Sequence, residues 1–344
     1  FTVATLVEVT IGKWRRLQQA SSNQGTFTIL AIDHRGPLRH ALASQAGVVS
    51  LNKAVATFKQ EVVRELAPEC SAVLLDPETG VAPCLTSGAL PGQAALIVAM
   101  DTGSTGDPAI LKTHLIQDWS VQQSSLVGAS GVKLLVYYHP NSPSAAQTEA
   151  LVKGVGLACA QHDVPLYLEP LSFKPEAPGV KLSSDELKDV VIESARRLTP
   201  FGADVLKAEF PYNISESHDL VKWQTACSEL SQACPVPWVL LSAGVPFDTF
   251  LDQARVACES GASGVMAGRA IWNEAASLDS RERTRFLRGS GLERIKKLRR
   301  LCDTHGRSFM DICQAAQTGS IDARELSLGT TGNRDINPPA NNVP

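Results

Sequence analysis

Residues 131–211 read GVKLLVYYHP (131–140), SAAQTEALVKGVGLACAQHD (144–163), VPLYLEPLSF (164–173), SSDELKDVVIESARRLTPFG (183–202) and DVLKAEFP (204–211). Short apolar runs alternate with longer segments whose apolar residues recur at helical spacing. A run apolar along its whole length suits a parallel strand buried on both faces. The longer segments suit the crossover helices that parallel strands require. The same alternation continues outward in both directions. Further strand candidates are TFTILAIDHRG (26–36), CSAVLLDPETG (70–80), AALIVAMD (94–101), PWVLLSAGV (237–245) and SGVMAGRAIW (263–272). Further helix candidates are LNKAVATFKQEVVRELAP (51–68), HDLVKWQTACSELSQAC (218–234) and FDTFLDQARVACESGA (247–262). Ser183 and Glu186 supply a capping box at one helix start. Eight strands alternating with helices predict an α/β fold, a (β/α)8 TIM barrel. The alternative is an open doubly wound sheet, which often carries G-x-G-x-x-G after its first strand. Here that turn reads IDHRGPLRH.

Residues 1–318 are expected to form one barrel domain. TIGKWRRLQQA (10–20) reads as a helix plugging the barrel bottom, and residues 280–306 as closing helices. Residues 319–344 turn polar and read as a C-terminal extension with little core of its own. The chain has 344 residues, 44% hydrophobic and 19% charged, with a net charge of −3. That composition supports a large core and does not suggest a nucleic-acid partner. The most basic stretch, ERIKKLRR (293–300), reads as the solvated face of a helix. AALIVAM (94–100) is far too short to span a membrane. The eight cysteines, scattered without C-x-x-C, read as free thiols in a reducing compartment. The first thirty residues lack a signal-peptide pattern. A soluble, cytoplasmic protein is expected, and Phe1 in place of Met suggests a natural start further upstream.

Lys207 stands within DVLKAEFP, flanked by Val205, Leu206 and Phe210. Burying an ammonium is unfavourable, and losing the proton is one relief. A neutral lysine can then form a Schiff base with a carbonyl. Lys133 and Glu169 sit on two other strand candidates. A paired structural ion would explain one such lysine, but three groups on three strands favour imine chemistry. Glu209 shares a strand face with Lys207 and ranks below Glu169 as a catalytic carboxylate. In a barrel of this kind the active site lies at the carboxyl ends of the strands. The first strand ends in Asp33, His34, Arg35 and Gly36, and the second in Asp76-Pro77-Glu78. His34 is expected to bond a substrate hydroxyl or to orient Asp33. The loops after strands seven and eight carry Ser242, Gly244, Gly268 and Arg269. Glycines that admit a phosphate, a hydroxyl donor and a guanidinium fork suit an anion there. Tight turns with a surface arginine are the plainer alternative. No H-x-x-H or H-E-x-x-H occurs, so no metal site is expected.

AIDHRG, LLDPETG, VKLLVYY, LYLEP, DVLKAEFP, LSAGV and GRAIW, in this order, resemble the class I tagatose-1,6-bisphosphate aldolases. These belong to a barrel superfamily with deoxyribose-phosphate aldolase and with relatives that cleave sulfofructose phosphate. The likeness spans roughly residues 25–275. It implies Lys207 as the Schiff-base lysine, Lys133 as an assisting second lysine and Glu169 as a proton shuttle. It implies Asp33 at the substrate hydroxyls, with Ser242, Gly244, Gly268 and Arg269 around the phosphate of the dihydroxyacetone-phosphate half. His34 stands where the family often has glutamine, a departure that bears on recognition of the sugar's distal end. The tail after about Gly306 has no counterpart. The resemblance implies a lyase acting on a sugar phosphate, without a cofactor, as a homo-oligomer. A sulfofructose-phosphate aldolase, a non-catalytic sugar-phosphate sensor and a metal-dependent aldolase remain as alternatives.

Overall fold

The computed structural model describes residues 6–43, 50–103, 111–177 and 179–316. Eight parallel strands close into a barrel in chain order. They are β1 (Phe27–Ala31), β2 (Ala72–Leu75), β3 (Ala95–Ala99), β4 (Gly131–Tyr137), β5 (Leu166–Leu171), β6 (Val205–Ala208), β7 (Trp238–Leu241) and β8 (Gly264–Ala267). β8 closes on β1 with Phe27 opposite Gly264. The fold is the expected TIM barrel. Each strand candidate contains one strand, but most run past it. SGVMAGRAIW yields only Gly264–Ala267 as strand, and Arg269–Trp272 is already helical. An apolar run does not reveal where the ladder stops, because the same residues go on to bury themselves in the loops.

Strand parity organises the interior. Outward residues such as Leu30, Val73, Val98, Leu206 and Leu240 pack under the surrounding helices. Inward residues near the bottom are apolar: Ile29, Leu74, Ile97, Tyr167, Val205, Val239 and Met266 form one cluster. On four strands the inward series becomes charged two residues higher: Asp33 above Ala31, Asp101 above Ala99, Glu169 above Tyr167, Lys207 above Val205. Lys133 lies opposite Ala99 and Tyr167 in the ladder.

Helix Ile11–Ala20, capped by Thr10, covers the bottom and sends Leu17 and Ala20 into the lower cluster. Its buried Lys13 pairs with Asp204 at 2.8 Å. Two short strands escaped the sequence reading: Val7–Val9 pairs in parallel with Cys313–Ala315 beside this plug. The expected helices appear as Leu51–Leu66, Ala145–Gln161, Ser184–Leu198, Leu220–Ala233 and Phe247–Glu259. The capping box at Ser183 and Glu186 is formed. Helices Ser280–Phe286 and Leu292–His305 complete the outer ring. All eight cysteines are free, seven buried and Cys70 half-buried. No helix among the described residues is long and apolar enough to cross a membrane. The polar tail 319–344 lies outside the described residues.

Candidate active site

The charged upper interior lines a cleft of about 420 Å³ at the carboxyl ends of the strands. Asp33, His34, Arg35, Lys133, Glu169, Lys207, Ser242, Gly268 and Arg269 all line it. Gly244 does not, but it backs Arg269: a Cβ there would stand 3.1 Å from the guanidinium carbon.

Glu169 joins the two lysines. Its Oε1 is 2.8 Å from Lys207 Nζ and its Oε2 is 2.8 Å from Lys133 Nζ. Lys207 is 5% exposed, so the ammonium finds a counter-ion rather than water. Lys133 also lies 3.0 Å from Asp33 Oδ2 and 3.2 Å from Asp101 Oδ1. Burial alone would lower the Lys133 pKa. Asp101, Asp33 and Glu169 outweigh it and hold the group well above the usual lysine value. Lys133 is therefore a fixed cation whose charge reaches Lys207 through the shared carboxylate. Burial would likewise raise Asp33, but Lys133 and Lys207 prevail and hold it well below the carboxylate range.

His34 stacks edge-on against Trp272 at 5.2 Å, and Trp272 Nε1 donates to the Ala31 carbonyl at 3.0 Å. Burial lowers the His34 pKa to about 3, with Arg269 and Lys207 adding and Asp33 opposing. The imidazole is neutral at neutral pH. Its Nδ1 is 3.8 Å from Asp33 Oδ1, beyond hydrogen-bond reach, so the expected orienting of Asp33 is not made through a hydrogen bond. That nitrogen has no hydrogen-bond partner among the described residues. Arg35 donates to the Asp101 backbone carbonyl and lies 4.0 Å from Glu78. Its Nε and Nη1 have no hydrogen-bond partner among the described residues.

The chain turns after β7 through two left-handed residues, Ala243 (φ 47°) and Gly244 (φ 78°). An alanine in this region costs roughly 1–2 kcal/mol. The Ser242 hydroxyl accepts from the Gly268 N–H at 3.4 Å and links the two loops. A Cβ on Gly268 would come within 2.5 Å of the Ala31 carbonyl oxygen, so only glycine fits there without movement. Arg269 has no ion-pair partner among the described residues and faces the cleft. A hydroxyl and a guanidinium with no ion-pair partner among the described residues are groups that suit an anion.

Two further carboxylates, Asp101 and Glu209, line the cleft. Asp101 is buried in the middle of the charge network, and its signal was parity, since it continues the inward series Ile97, Ala99. Glu209 also lines the cleft and accepts from Ser172 N–H at 2.7 Å and Ser172 Oγ at 2.5 Å. Burial raises its pKa to about 7, against the Ser172 bonds and with help from Glu169. Another buried pair, Lys59 with Asp76, lies outside the cleft lining. Among the described residues no group of three or more His, Cys, Asp or Glu is arranged to hold a metal ion.

Residues 27–274 match the family model described as DeoC/LacD family aldolase. The chain belongs to the DeoC/LacD aldolase family. A relative from Listeria innocua, named tagatose 1,6-diphosphate aldolase, is 31% identical over 324 residues, 87% of this chain and 94% of the relative. Tagatose 1,6-diphosphate aldolase 2 of Enterococcus faecalis is 30% identical over 78% of this chain and 85% of its own length. Among solved structures, a Schiff-base-forming fructose-1,6-bisphosphate aldolase superposes with a TM-score of 0.55 at 19% identity, covering 84% of this chain and 99% of the other. The fructose-bisphosphate aldolase of Plasmodium falciparum gives 0.66 at 13% identity, covering 89% and 99%. These two likenesses concern the fold, and they agree with the DeoC/LacD barrel described above.

Proposed function

We propose that this chain is a class I aldolase, a lyase that reversibly cleaves tagatose 1,6-bisphosphate to dihydroxyacetone phosphate and glyceraldehyde 3-phosphate. The observation that carries the reading is one carboxylate, Glu169, held 2.8 Å from each of two buried lysines at the barrel mouth. The substrate comes from the names of the relatives.

Attack on the C2 carbonyl needs Lys207 as the free amine, and Glu169 Oε1 is placed to take its proton. The amine adds to C2 and gives a carbinolamine. Glu169 returns the proton to the C2 hydroxyl, which leaves as water and yields a cationic iminium. Glu169, again ionised, then takes the C4 hydroxyl proton. The C3–C4 electrons move toward C2 and on to the iminium nitrogen. Glyceraldehyde 3-phosphate departs and an enamine remains. Protonation at C3 regenerates the iminium, and water hydrolyses it to dihydroxyacetone phosphate and free Lys207. Lys133 supplies a constant positive charge beside Glu169. Asp33, bonded to Lys133, contacts the sugar hydroxyls. Ser242, Gly244, Gly268 and Arg269 hold the phosphate of the ketone half, and His34 and Arg35 meet the distal half. Association with further copies of itself, implied by the family likeness, belongs to the same proposal and is read by light scattering.

The test couples dihydroxyacetone phosphate release from tagatose 1,6-bisphosphate to NADH oxidation by glycerol-3-phosphate dehydrogenase. Steady turnover that survives EDTA is expected. Absence of turnover, or turnover abolished by EDTA, contradicts the proposal.

A further inference from the structure

Asp101 contacts two of the groups assigned above while facing no reacting atom in that scheme. It is 1% exposed. Its Oδ1 lies 3.2 Å from Lys133 Nζ and accepts from the Leu135 N–H at 3.0 Å. Its Oδ2 accepts from the Gly103 N–H at 3.0 Å and lies 3.8 Å from Arg35 Nη2. That same nitrogen donates to the Asp101 backbone carbonyl. Two backbone donors thus fix the carboxylate from either side, and the fold rather than the cations sets its place.

We propose that Asp101 is a positioning residue of the reaction: it ties Lys133, at the reaction centre, to Arg35, at the anion-binding rim. The proposal rests on the aldolase reading. One counter-ion would neutralise Lys133, yet three carboxylates surround it: Asp33 from the end of β1, Asp101 from beyond β3 and Glu169 from β5. Lys207 on β6 competes for Glu169, and neutral His34 adds no charge. Glu209, at the end of β6, lies next to Glu169 in the charge network. During the proposed turnover Glu169 gains and loses protons, so its hold on Lys133 varies from step to step. Asp33 is engaged with substrate hydroxyls. Asp101 alone of the three has no proposed contact with the substrate, and burial would otherwise favour loss of the Lys133 proton. On its other side Asp101 sets Arg35, which lines the cleft with Glu78 4.0 Å from its Nη1.

The experiment measures borohydride trapping of dihydroxyacetone phosphate on Lys207 as a function of pH. It also measures KM for the bisphosphate, in wild type, Asp101→Asn and Asp101→Glu. Asp101 does most among the neighbours to raise Lys133. Asp101→Asn should therefore move the alkaline limb of trapping to lower pH. It should slow trapping at neutral pH on the order of 10–100-fold, as a misplaced group does, and raise KM through Arg35. Asp101→Glu keeps the charge on a longer arm. Its alkaline limb should stay with wild type while its rate falls. A folded Asp101→Asn enzyme with the wild-type limb overturns the proposal, as does a shifted limb with unchanged KM. If Asp101→Asn fails to fold, Asp101→Glu decides: a displaced limb there refutes the role of the charge. Absence of any adduct on wild type removes the aldolase reading and this proposal with it. An adduct that forms equally well in all three proteins removes this proposal alone.

Discussion

Replacing Glu169 with glutamine probes the junction of the two lysines directly. Each carboxylate oxygen is 2.8 Å from one ammonium. Glutamine keeps one oxygen and turns the other into an NH2 group, so one lysine must face a donor with its own donor. The side chain also loses the ability to carry protons between Lys207 and the substrate. A proton-transfer group is worth about 10²–10⁴-fold in rate. At 1.36 kcal/mol per tenfold, that is about 2.7–5.4 kcal/mol of barrier. Stability should fall as well, because removing one partner of a buried ion pair costs roughly 3–5 kcal/mol. The loss here belongs at the low end, since Lys133 keeps Asp33 and Asp101. The coupled assay gives kcat and urea unfolding gives stability. Borohydride should still trap a slow adduct on Lys207, because the nucleophile itself is intact. A Glu169→Gln enzyme with wild-type kcat would refute the assignment of the proton shuttle.

The other predictions concern the anion loops and the second carboxylate. Arg269→Gln removes charge-assisted hydrogen bonds worth about 1.5–3 kcal/mol. KM for the bisphosphate should rise roughly 10–150-fold with kcat largely kept; an unchanged KM contradicts a phosphate site. Gly268→Ala drives a methyl to 2.5 Å from the Ala31 carbonyl and 2.9 Å from His34 Cε1. Overpacking of this sort costs about 1–3 kcal/mol. The urea midpoint should drop and KM rise, and a variant equal to wild type in both would show that the loops are looser than described. Burial holds the folded Glu209 pKa at about 7, above its ordinary 4.5. Its contribution to stability is full below pH 4.5 and is lost as pH rises through 7. Urea midpoints of Glu209→Gln should lack that fall, and parallel pH profiles for the two proteins would contradict it.

The sequence disclosed the barrel because its strands are buried on both faces, and such strands read as unbroken apolar runs. It disclosed Lys133, Glu169 and Lys207 for the same reason, since a charge inside an apolar run is conspicuous. Asp101 was less visible. It ends a run rather than interrupting one, and a polar residue at a strand end is ordinary. Only the count by twos from Ile97 and Ala99 marks it as inward. Lys59 was hidden differently. A lysine in an amphipathic helix reads as solvated, yet it falls four residues from Val55, on the buried face, where it meets Asp76. The strands Val7–Val9 and Cys313–Ala315 are three residues each and too short for any periodicity. Pairing distances lay beyond sequence altogether. That Glu169 bridges both lysines follows from the ladder, where Leu135 lies opposite Glu169 and β6 pairs with β5.

The inward faces divide the barrel into an apolar lower half and a charged upper half, where the proposed chemistry is placed. Each side chain of the reaction network stands on a strand or just beyond its end, where packing fixes the backbone. The proposed anion-binding groups stand on loops braced by Trp272, Ala31 and Ser242. This arrangement places the less forgiving geometry on the more rigid support.

The central claim is that Lys207 is the nucleophile. Its most direct test is incubation with dihydroxyacetone phosphate and borohydride, followed by intact mass and peptide mapping. The account predicts one reduced adduct, on Lys207, absent from Lys207→Met. An adduct on Lys133 instead, or cleavage of the bisphosphate with no adduct at all, would contradict it.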